Sequence, residues 1–291
     1  MPVTTGRRAG IDVGGTKCLG VVWQDGQVLH EVRRDTPEGA DDIIETLVSI
    51  VRELGEVDSV GIGVPGLVTR QGVLRAAPNL VDIADFAVGP ILRDILHVDV
   101  AVENDATCAA VAEWSVGAAQ GVDDVIVVTL GTGIGGGLVS GGRLVRSING
   151  FAGEIGHMIV DPSGPKCVCG QRGCWERYAS GNGLSYLANG EKGEDVLSRA
   201  KDGATDAIGV VDTFAKWVAL GLVNLTNMTD PNVIVVGGGV IVSADVVMPR
   251  IAHWFEQLLY SPKHRAHPRL VAAQLGEQAG AIGAAMLSTS V

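Results

Sequence analysis

Apolar runs and tight turns alternate at the start of the chain. Ala9 to Val13 predicts a short strand, and a second apolar run ends at Trp23. The Asp25-Gly26 pair that follows is a strong β-hairpin signal, because both residue types tolerate the left-handed backbone of a two-residue turn. A third strand begins at Val28-Leu29, so the pattern predicts three consecutive antiparallel strands.

The same plan returns further along the chain. Val125 to Leu130 predicts a strand, a glycine turn follows, and a second strand ends at Gly141-Gly142. A constant shift aligns four residues of the first copy with four of the second, namely Gly15 with Gly131, Thr16 with Thr132, Gly20 with Gly136 and Gly26 with Gly142. Chance matches in a glycine-rich chain are the alternative, but the shared order of strands and turns favours an internal duplication.

Each copy continues with helix and strand patterns. Ala40 to Leu54 carries apolar residues at helical spacing, and Val57 to Val64 predicts a strand. In the second copy, Ile208 to Leu225 predicts a long helix and Val233 to Val236 a buried strand. The last segment, Gly276 to Leu287, predicts a helix of small residues. The sequence therefore predicts an α/β protein with two similar lobes and a cleft between them.

The composition limits the classes of function. The formal net charge of −11 argues against nucleic acid as a partner, because binding to its phosphates needs clustered Lys and Arg. No uninterrupted apolar run approaches the ~20 residues that a membrane helix needs. Residues 1–8 are polar and lack the apolar core of a signal peptide. We therefore expect a cytoplasmic protein that binds neither nucleic acid nor a membrane.

Three glycine turns stand at predicted strand ends, where backbone N–H groups can approach the phosphate oxygens of a nucleotide. Asp12 precedes the first turn and can hold Mg²⁺ through water. The candidate ATP-binding residues are Asp12, Gly14, Gly15, Thr16, Lys17, Gly131, Thr132, Gly133 and Gly238. Two alternatives stay open: hairpin turns that bind no ligand, and a dinucleotide fold at the glycine string from Gly131, which would need a helix after the turn.

Three of the five cysteines lie in one short glycine-rich loop, and a histidine precedes them. Three thiolates and one imidazole form a closed tetrahedral ligand set, which is typical of structural zinc. The predicted zinc ligands are His157, Cys167, Cys169 and Cys174. The alternatives are unrelated buried thiols or a disulfide, and the cytosol disfavours a disulfide. Cys18 and Cys108 have apolar surroundings and are expected in the core without a role.

Acidic residues near these motifs are candidates for sugar binding and catalysis. Zinc would hold Glu154 and Glu176 toward a common cavity, and a carboxylate binds sugar hydroxyls well as a hydrogen-bond acceptor. Asp105 opens a predicted helix from Ala106 to Trp114, where a kinase can place the carboxylate that accepts a hydroxyl proton. The alternatives are solvent-exposed glutamates and an Asp105 that only caps the helix.

Together these motifs closely resemble the ROK family of bacterial sugar kinases, a branch of the actin/hexokinase-like ATPases. The resemblance covers nearly the whole chain, and its most specific parts are Glu154 to His157 and Cys167 to Glu176. The cysteine motif is most similar to that of the ATP-dependent glucokinase subgroup. The resemblance implies an actin/hexokinase-like fold, with residues 1–120 and the helix 277–291 in the first lobe and residues 121–276 in the second.

The resemblance also implies an activity. The enzyme would transfer the γ-phosphoryl group of ATP, with Mg²⁺, to the 6-hydroxyl of a hexose, above all glucose, with Asp105 as the base. The sugar would contact Asn79, Asn104, Asp105, Glu154, His157 and Glu176, and His157 would also bind zinc. The family implies a homodimer or homotetramer. The open alternatives are a kinase for N-acetylglucosamine, mannose, fructose or allose, and a sugar sensor without turnover.

Overall fold

The computed structural model describes residues 6–77 and 84–287, and the chain divides into two compact units. The first unit comprises Met1–Gly121, Leu144–Gly153 and Leu275–Val291, and the second comprises Val122–Arg143 and Glu154–Gln274. The short stretch Leu144–Gly153 therefore groups with the first unit, although it lies within the continuous range predicted for the second lobe.

The regular elements are short strands and helices of about one to seven turns. Those before residue 121 are β1 (Arg8–Val13), β2 (Lys17–Gln24), β3 (Gln27–Asp35), α1 (Ala40–Leu54), β4 (Ser59–Val64), β5 (Leu67–Val68), β6 (Leu74–Ala76), β7 (Ala84–Phe86), α2 (Val88–Leu96), β8 (Asp99–Asn104) and α3 (Asp105–Ser115). Those after it are β9 (Val125–Leu130), β10 (Ile134–Ser140), β11 (Arg143–Leu144), α4 (Glu176–Ala179), α5 (Gly181–Leu187), α6 (Gly193–Lys201), α7 (Thr205–Thr229), β12 (Val233–Gly237), α8 (Ala244–Leu258), β13 (Arg269–Ala272) and α9 (Ala279–Leu287).

The first unit is built on a five-stranded sheet with the order β3-β2-β1-β4-β8. The strands β1, β2 and β3 pair antiparallel, whereas β4 and β8 continue the sheet in parallel. Asp25 and Gly26 form the predicted hairpin turn with φ of 51° and 82°, which is the left-handed backbone that the Asp-Gly pair favours. The strands β5, β6 and β7 form a small second sheet.

The second unit repeats this arrangement in its own sheet, whose order is β11-β10-β9-β12-β13. Here β9 pairs antiparallel with β10 and parallel with β12, and β13 follows in parallel. Gly141 and Gly142 form the turn between β10 and β11 with φ of 55° and 69°. The two sheets therefore have the same strand order, when the strands of each are numbered along the chain. This agreement supports the internal duplication that the sequence predicted.

The last helix, α9, packs on the sheet of the first unit through small residues. A Cβ atom on Gly61 of β4 would lie 1.8 Å from the carbonyl oxygen of Ala284, so glycine is required where strand and helix backbones meet. Ala281, Ala284 and Ala285 are fully buried in the same contact. The small-residue pattern at the chain end therefore reflects close packing.

Among the described residues, α7 is the helix whose length and composition would allow it to cross a membrane. Half of its most apolar window is buried inside the protein. Phe214, Val218 and Leu222 have no exposed surface and belong to the core of the second unit. A helix that forms the centre of a globular core passes the same test, and the burial of α7 agrees with that interpretation.

Candidate active site

Two carboxylates meet in the first unit, and we call Asp12 and Asp105 the carboxylate centre. Asp12 lies near the end of β1, and Asp105 is the first residue of α3. Gly63 of the neighbouring strand β4 pairs with Asp12, and a Cβ atom there would stand 3.5 Å from Asp12 Oδ1 and 3.4 Å from Asp105 Cα. Because glycine has no side chain, the two acidic residues approach each other at this strand.

The protein neutralises the carboxylate centre poorly. Asp12 Oδ1 is buried and has no hydrogen-bond partner within the described residues. Burial, and then the charge of Asp105, raises the pKa of Asp12 to about 7. Burial also raises the pKa of Asp105, against the opposing effect of the Ala106 N–H, which donates to Asp105 Oδ1 at 2.8 Å. Buried like charges are costly without a counter-ion, so the unpartnered Asp12 oxygen fits the expected Mg²⁺.

Helix α9 packs directly against Asp12. A Cβ atom on Gly280 would lie 2.6 Å from Asp12 Cγ and 2.7 and 2.8 Å from the two carboxylate oxygens. Any side chain at this position would therefore displace the carboxylate. The sequence pattern predicted the helix, but it gave no sign that its first turn touches Asp12.

Asn104, and not Asp105, is the residue that caps α3. Asn104 Oδ1 accepts the N–H of Thr107 at 3.0 Å, and Asn104 Nδ2 donates to the carbonyl of Gly66 at 3.2 Å. The alternative in which Asp105 only caps the helix does not hold, because the cap lies one residue earlier. Asp105 is left inside the first turn, where the helix dipole favours a negative charge. The contact of Asn104 with a sugar stays a prediction.

A buried ion pair supports this junction between β8 and α3. The Glu103 side chain is 6% exposed, its Oε2 lies 2.8 Å from Arg146 Nε, and its Oε1 accepts the N–H of Asn104 at 3.0 Å. Burial raises the pKa of Glu103, while the charge of Arg146 lowers it. Arg70 Nε donates to the Ser147 carbonyl at 2.9 Å and fastens the same stretch of chain. The only sign of this ion pair in the sequence is Glu103 itself, a glutamate near the end of an apolar strand.

The first two predicted phosphate turns each join two antiparallel strands. The first turn, residues 14–17, connects β1 with β2, and the Gly14 N–H donates to the Lys17 carbonyl at 2.8 Å. The second turn, residues 131–133, connects β9 with β10, and the Gly131 N–H donates to the Gly133 carbonyl at 3.0 Å. Because a strand follows the second turn, the dinucleotide-fold alternative is excluded.

The glycines of these turns differ in what requires them. A Cβ atom on Gly15 or Gly131 would meet no protein atom within 4 Å, and neither residue has a positive φ. Close approach of a ligand would explain both glycines, whereas the fold does not. Gly238 has φ 89°, and a Cβ atom there would lie 2.5 Å from the Leu130 carbonyl, so the fold alone explains it. Thr16, Lys17 and Thr132 are exposed at the turns.

Four candidate metal ligands come together in the second unit, and we call them the thiol cluster. One ligand atom from each residue lies within 4.8 Å of the others, and the residues are His157, Cys167, Cys169 and Cys174. Cys169 Sγ is 3.5 Å from Cys174 Sγ, and Cys167 Sγ is 3.8 Å from His157 Nδ1. Ligands on a tetrahedral metal with 2.3 Å bonds stand about 3.8 Å apart, so this donor set fits one four-coordinate ion. All five cysteines are free thiols.

Two carboxylates flank the His157 ring. Glu176 Oε1 lies 3.9 Å from His157 Nδ1, and Glu154 Oε2 lies 4.0 Å from His157 Nε2. Glu176 Oε1 also accepts a hydrogen bond from Cys167 Sγ at 3.1 Å. A Cβ atom on Gly133 would lie 2.7 Å from Glu176 Oε2, so the second turn and the thiol cluster meet at this carboxylate. The structure thus brings three of the predicted sugar contacts together.

Buried aromatic residues hold the cysteine loop on α7. Trp175 is fully buried, and its Nε1 donates to the Trp217 carbonyl at 2.7 Å. Tyr178 stacks on Trp217 with ring centroids 4.1 Å apart, and its hydroxyl donates to Asp161 at 2.7 Å. The end of the loop is therefore held by ordinary packing, while Cys169 within it is exposed.

The remaining residues singled out in the sequence are Asn79, Cys18 and Cys108. Asn79 belongs to residues 78–83, which lie outside the described part of the chain. Cys18 and Cys108 are buried among apolar residues of the first unit, as the sequence predicted. Burial raises the pKa of both thiols, which keeps them protonated and unreactive at neutral pH.

Known proteins similar to this chain were found in both sequence and structure. The sequence profile of the ROK family matches residues 8–291. The chain is 34% identical to the glucokinase of Streptomyces coelicolor over an alignment of 313 residues, which covers 97% of this chain and 98% of the relative. It is 33% identical to the N-acetylmannosamine kinase of Escherichia coli over 290 residues, which covers 96% of this chain and 97% of the relative.

A solved structure agrees with the sequence matches. The ROK family glucokinase from Streptomyces griseus, solved in complex with glucose and AMPPNP, superposes with a TM-score of 0.90 and 35% identity. The match covers 98% of this chain and 100% of that one. It confirms the predicted actin/hexokinase-like ATPase fold. The chain belongs to the ROK family.

Proposed function

We propose that this protein transfers the γ-phosphoryl group of ATP to the 6-hydroxyl of glucose. The observation that carries the proposal is the carboxylate centre, in which Asp105, half-buried in the first turn of α3, stands close to Asp12 of β1. The similarity to glucokinases over nearly the whole chain supports the same activity. Phosphoryl transfer needs little covalent chemistry from the protein, and a carboxylate that orients the hydroxyl and accepts its proton suits the reaction.

Asp105 is the proposed base. Its carboxylate would accept the proton of the sugar 6-hydroxyl while that oxygen bonds to the γ-phosphorus and the bond to the departing ADP breaks. Burial raises the pKa of Asp105, which makes the carboxylate a stronger proton acceptor than an exposed aspartate. The cap on α3 supplied by Asn104 holds the base in place without using its charge.

The two glycine turns are proposed to hold the nucleotide phosphates. Gly15 and Thr132 are exposed, so their N–H groups can meet a ligand. Gly15 and Gly131 have no side chain that would keep a phosphate away from the backbone. Mg²⁺ would supply positive charge to the phosphates, and Asp12 is the residue proposed to hold it, through water. Catalysis then depends mainly on alignment and charge stabilisation by these groups.

As the family resemblance implies, the residues proposed to contact the sugar are Asn79, Asn104, Asp105, Glu154, His157 and Glu176. The positions of the two glutamates on either side of His157 support the last three of these residues. We assign the thiol cluster a structural zinc ion, since three thiolates and an imidazole leave no open position for a reactant. Burial raises the pKa of the Cys167 thiol, so metal binding would displace its proton.

A second candidate activity has its own support. The 33% identity to the N-acetylmannosamine kinase of Escherichia coli is close to the identity with glucokinases, so an amino sugar is the leading alternative substrate. A non-catalytic sugar sensor is the alternative from another class, and the carboxylate centre favours an enzyme. We further propose a cytoplasmic homodimer or homotetramer, on the strength of the family resemblance.

A panel of sugars separates these candidates. Purified protein with Mg²⁺ and ATP is given glucose, mannose, fructose, allose, N-acetylglucosamine or N-acetylmannosamine, and ADP release is measured at several concentrations of each. We expect the highest kcat/KM with glucose. A higher value with N-acetylmannosamine would replace glucose as the substrate, and sugar binding without ADP release from any member would favour the sensor.

A further inference from the structure

We infer that Thr36 is a positioning residue that orients the first turn for nucleotide phosphates, an inference that rests on the proposed function. Thr36 directly follows β3 and is distant in sequence from residues 14–17. It is half-buried, and none of the sequence motifs includes it. The structure nevertheless joins it to both ends of the turn.

Thr36 donates two hydrogen bonds to carbonyl groups of the first turn. Its side-chain Oγ1 donates to the Gly14 carbonyl at 2.7 Å, and its backbone N–H donates to the Thr16 carbonyl at 3.0 Å. Cys18 Sγ lies 3.5 Å from the same Oγ1. Thr36 thus binds two carbonyl groups of the turn, and its hydroxyl bonds at the Gly14-Gly15 end.

The direction of a carbonyl decides where the next N–H points. In a trans peptide the C=O and the N–H of the following residue point in opposite directions. When Thr36 holds the Gly14 oxygen, the Gly15 N–H must point away from Thr36, on the exposed side of the turn. A Gly-Gly peptide can otherwise rotate easily, because neither residue has a Cβ to restrict it. Rotation would present a carbonyl oxygen to the phosphate, and two acceptors repel each other.

In the second turn the carbonyl of the first residue is also bound from outside, although Gly131 aligns with Gly15 and not with Gly14. The Gly131 carbonyl accepts the backbone N–H of Gly181, the first residue of α5, at 2.7 Å. By the same argument this bond directs the Thr132 N–H away from α5. Both turns therefore have their first carbonyl bound from outside the turn. In the second the donor is a backbone group, whereas in the first it is a hydroxyl that a single substitution removes.

Two substitutions isolate the hydroxyl. Thr36→Val keeps the shape of the side chain and the backbone N–H but removes the donor, and Thr36→Ser keeps the donor. The affinity of each variant for AMPPNP with Mg²⁺, and separately for glucose, is measured by calorimetry alongside the melting temperature. We expect Thr36→Val to weaken AMPPNP binding about 10-fold, as the loss of one part-buried hydrogen bond implies. We expect Thr36→Ser to stay within about 2-fold of wild type, with glucose affinity unchanged in both.

The outcomes separate this inference from the proposed function. If wild-type protein turns over with glucose and Thr36→Val binds AMPPNP as tightly as wild type, the positioning role is wrong and the function stands. If valine and serine weaken AMPPNP and glucose binding equally and lower the melting temperature together, Thr36 is merely structural. Absence of turnover by the wild type with every sugar would instead reject the kinase, whatever the two variants do.

Discussion

The carboxylate centre and the thiol cluster are both groups of ionisable side chains, but the chain holds them by different means. Asp12 and Asp105 lie on β1 and α3, regular elements whose backbone hydrogen bonds place them without any ion. The thiol cluster lies on a 3-10 turn and a loop, linked by isolated bridges such as that between Ile159 and Cys174. The fold forces like charges together in the carboxylate centre, whereas the proposed structural metal would tie the loop of the thiol cluster together.

This difference suits the two groups to different proposed roles, catalysis for the carboxylate centre and sugar binding for the thiol cluster. A carboxylate held by strands and a helix keeps its position through each reaction cycle, which suits a base that must meet a hydroxyl repeatedly. A loop that a structural ion would close can present several side chains to one substrate, and here Glu154 and Glu176 flank His157. Damage to the carboxylate centre should therefore reduce turnover, whereas damage to the thiol cluster should reduce sugar affinity.

The largest expected effect comes from Asp105→Asn. We expect kcat to fall about 10²–10⁴-fold, because the amide cannot accept the hydroxyl proton, while the affinity for glucose stays nearly unchanged. Coupled ADP release gives kcat, and calorimetry gives the affinity. A variant that retains most of its turnover would remove Asp105 from the role of base.

Cys174→Ser is expected to weaken sugar binding, whereas Asp105→Asn is expected to slow turnover. Cys174 is fully buried in the thiol cluster, so its loss should release the metal and weaken glucose affinity about 100-fold, with nucleotide affinity little changed. Val168→Ala is the matched control, since Val168 lies exposed in the same loop and offers no ligand atom. Metal analysis should find one zinc per chain in the wild type and the control. Full activity in metal-free protein would contradict the structural assignment.

A smaller effect is expected from the ion pair behind the carboxylate centre. Arg146→Met leaves Glu103 buried without its partner and should lower the free energy of unfolding by ~2–3 kcal/mol, below the range for fully buried pairs because Arg146 is one-quarter exposed. Adding Glu103→Gln removes the unpaired charge and should restore part of this loss. Urea unfolding measures both. Equal stability of the single variant and the wild type would mean that the pair does not support the junction.

The smallest expected effect is a gain in stability. Asp12 is destabilising when charged, because its folded pKa of about 7 lies above the usual value of an aspartate. The associated stability is present at low pH and is lost as pH rises through about 7. In protein without Mg²⁺, Asp12→Asn should therefore be ~1–2 kcal/mol more stable than wild type at pH 8 and less so at pH 5. An identical difference at both pH values would contradict the buried charge.

The features that the sequence predicted depend on local chemistry. The Asp25-Gly26 turn follows from residues that tolerate a left-handed backbone, and α1 has the predicted bounds Ala40–Leu54 because its apolar residues repeat at helical spacing. The ligand set of the thiol cluster was also visible, since three of its members lie within one loop. Short strands such as β5 have too few residues to show a period.

The features that were missed depend on contacts between distant segments. The pairing of Glu103 with Arg146, the approach of Gly280 to Asp12, and the two bonds from Thr36 to the first turn leave no period and no motif. The sequence left open that Asp105 only caps α3, because Asn and Asp both serve as helix caps. The structure identifies Asn104 as the cap, because its side-chain oxygen accepts the N–H of Thr107.

Identification of the product tests the central claim most directly. Wild-type protein is incubated with glucose, ATP and Mg²⁺, and phosphorus NMR follows every phosphorus-containing species. We expect one ADP and one glucose 6-phosphate for each ATP consumed, with no accumulation of inorganic phosphate. Phosphate on another hydroxyl, or ADP with free phosphate and no sugar ester, would contradict a kinase that uses Asp105 to activate the 6-hydroxyl.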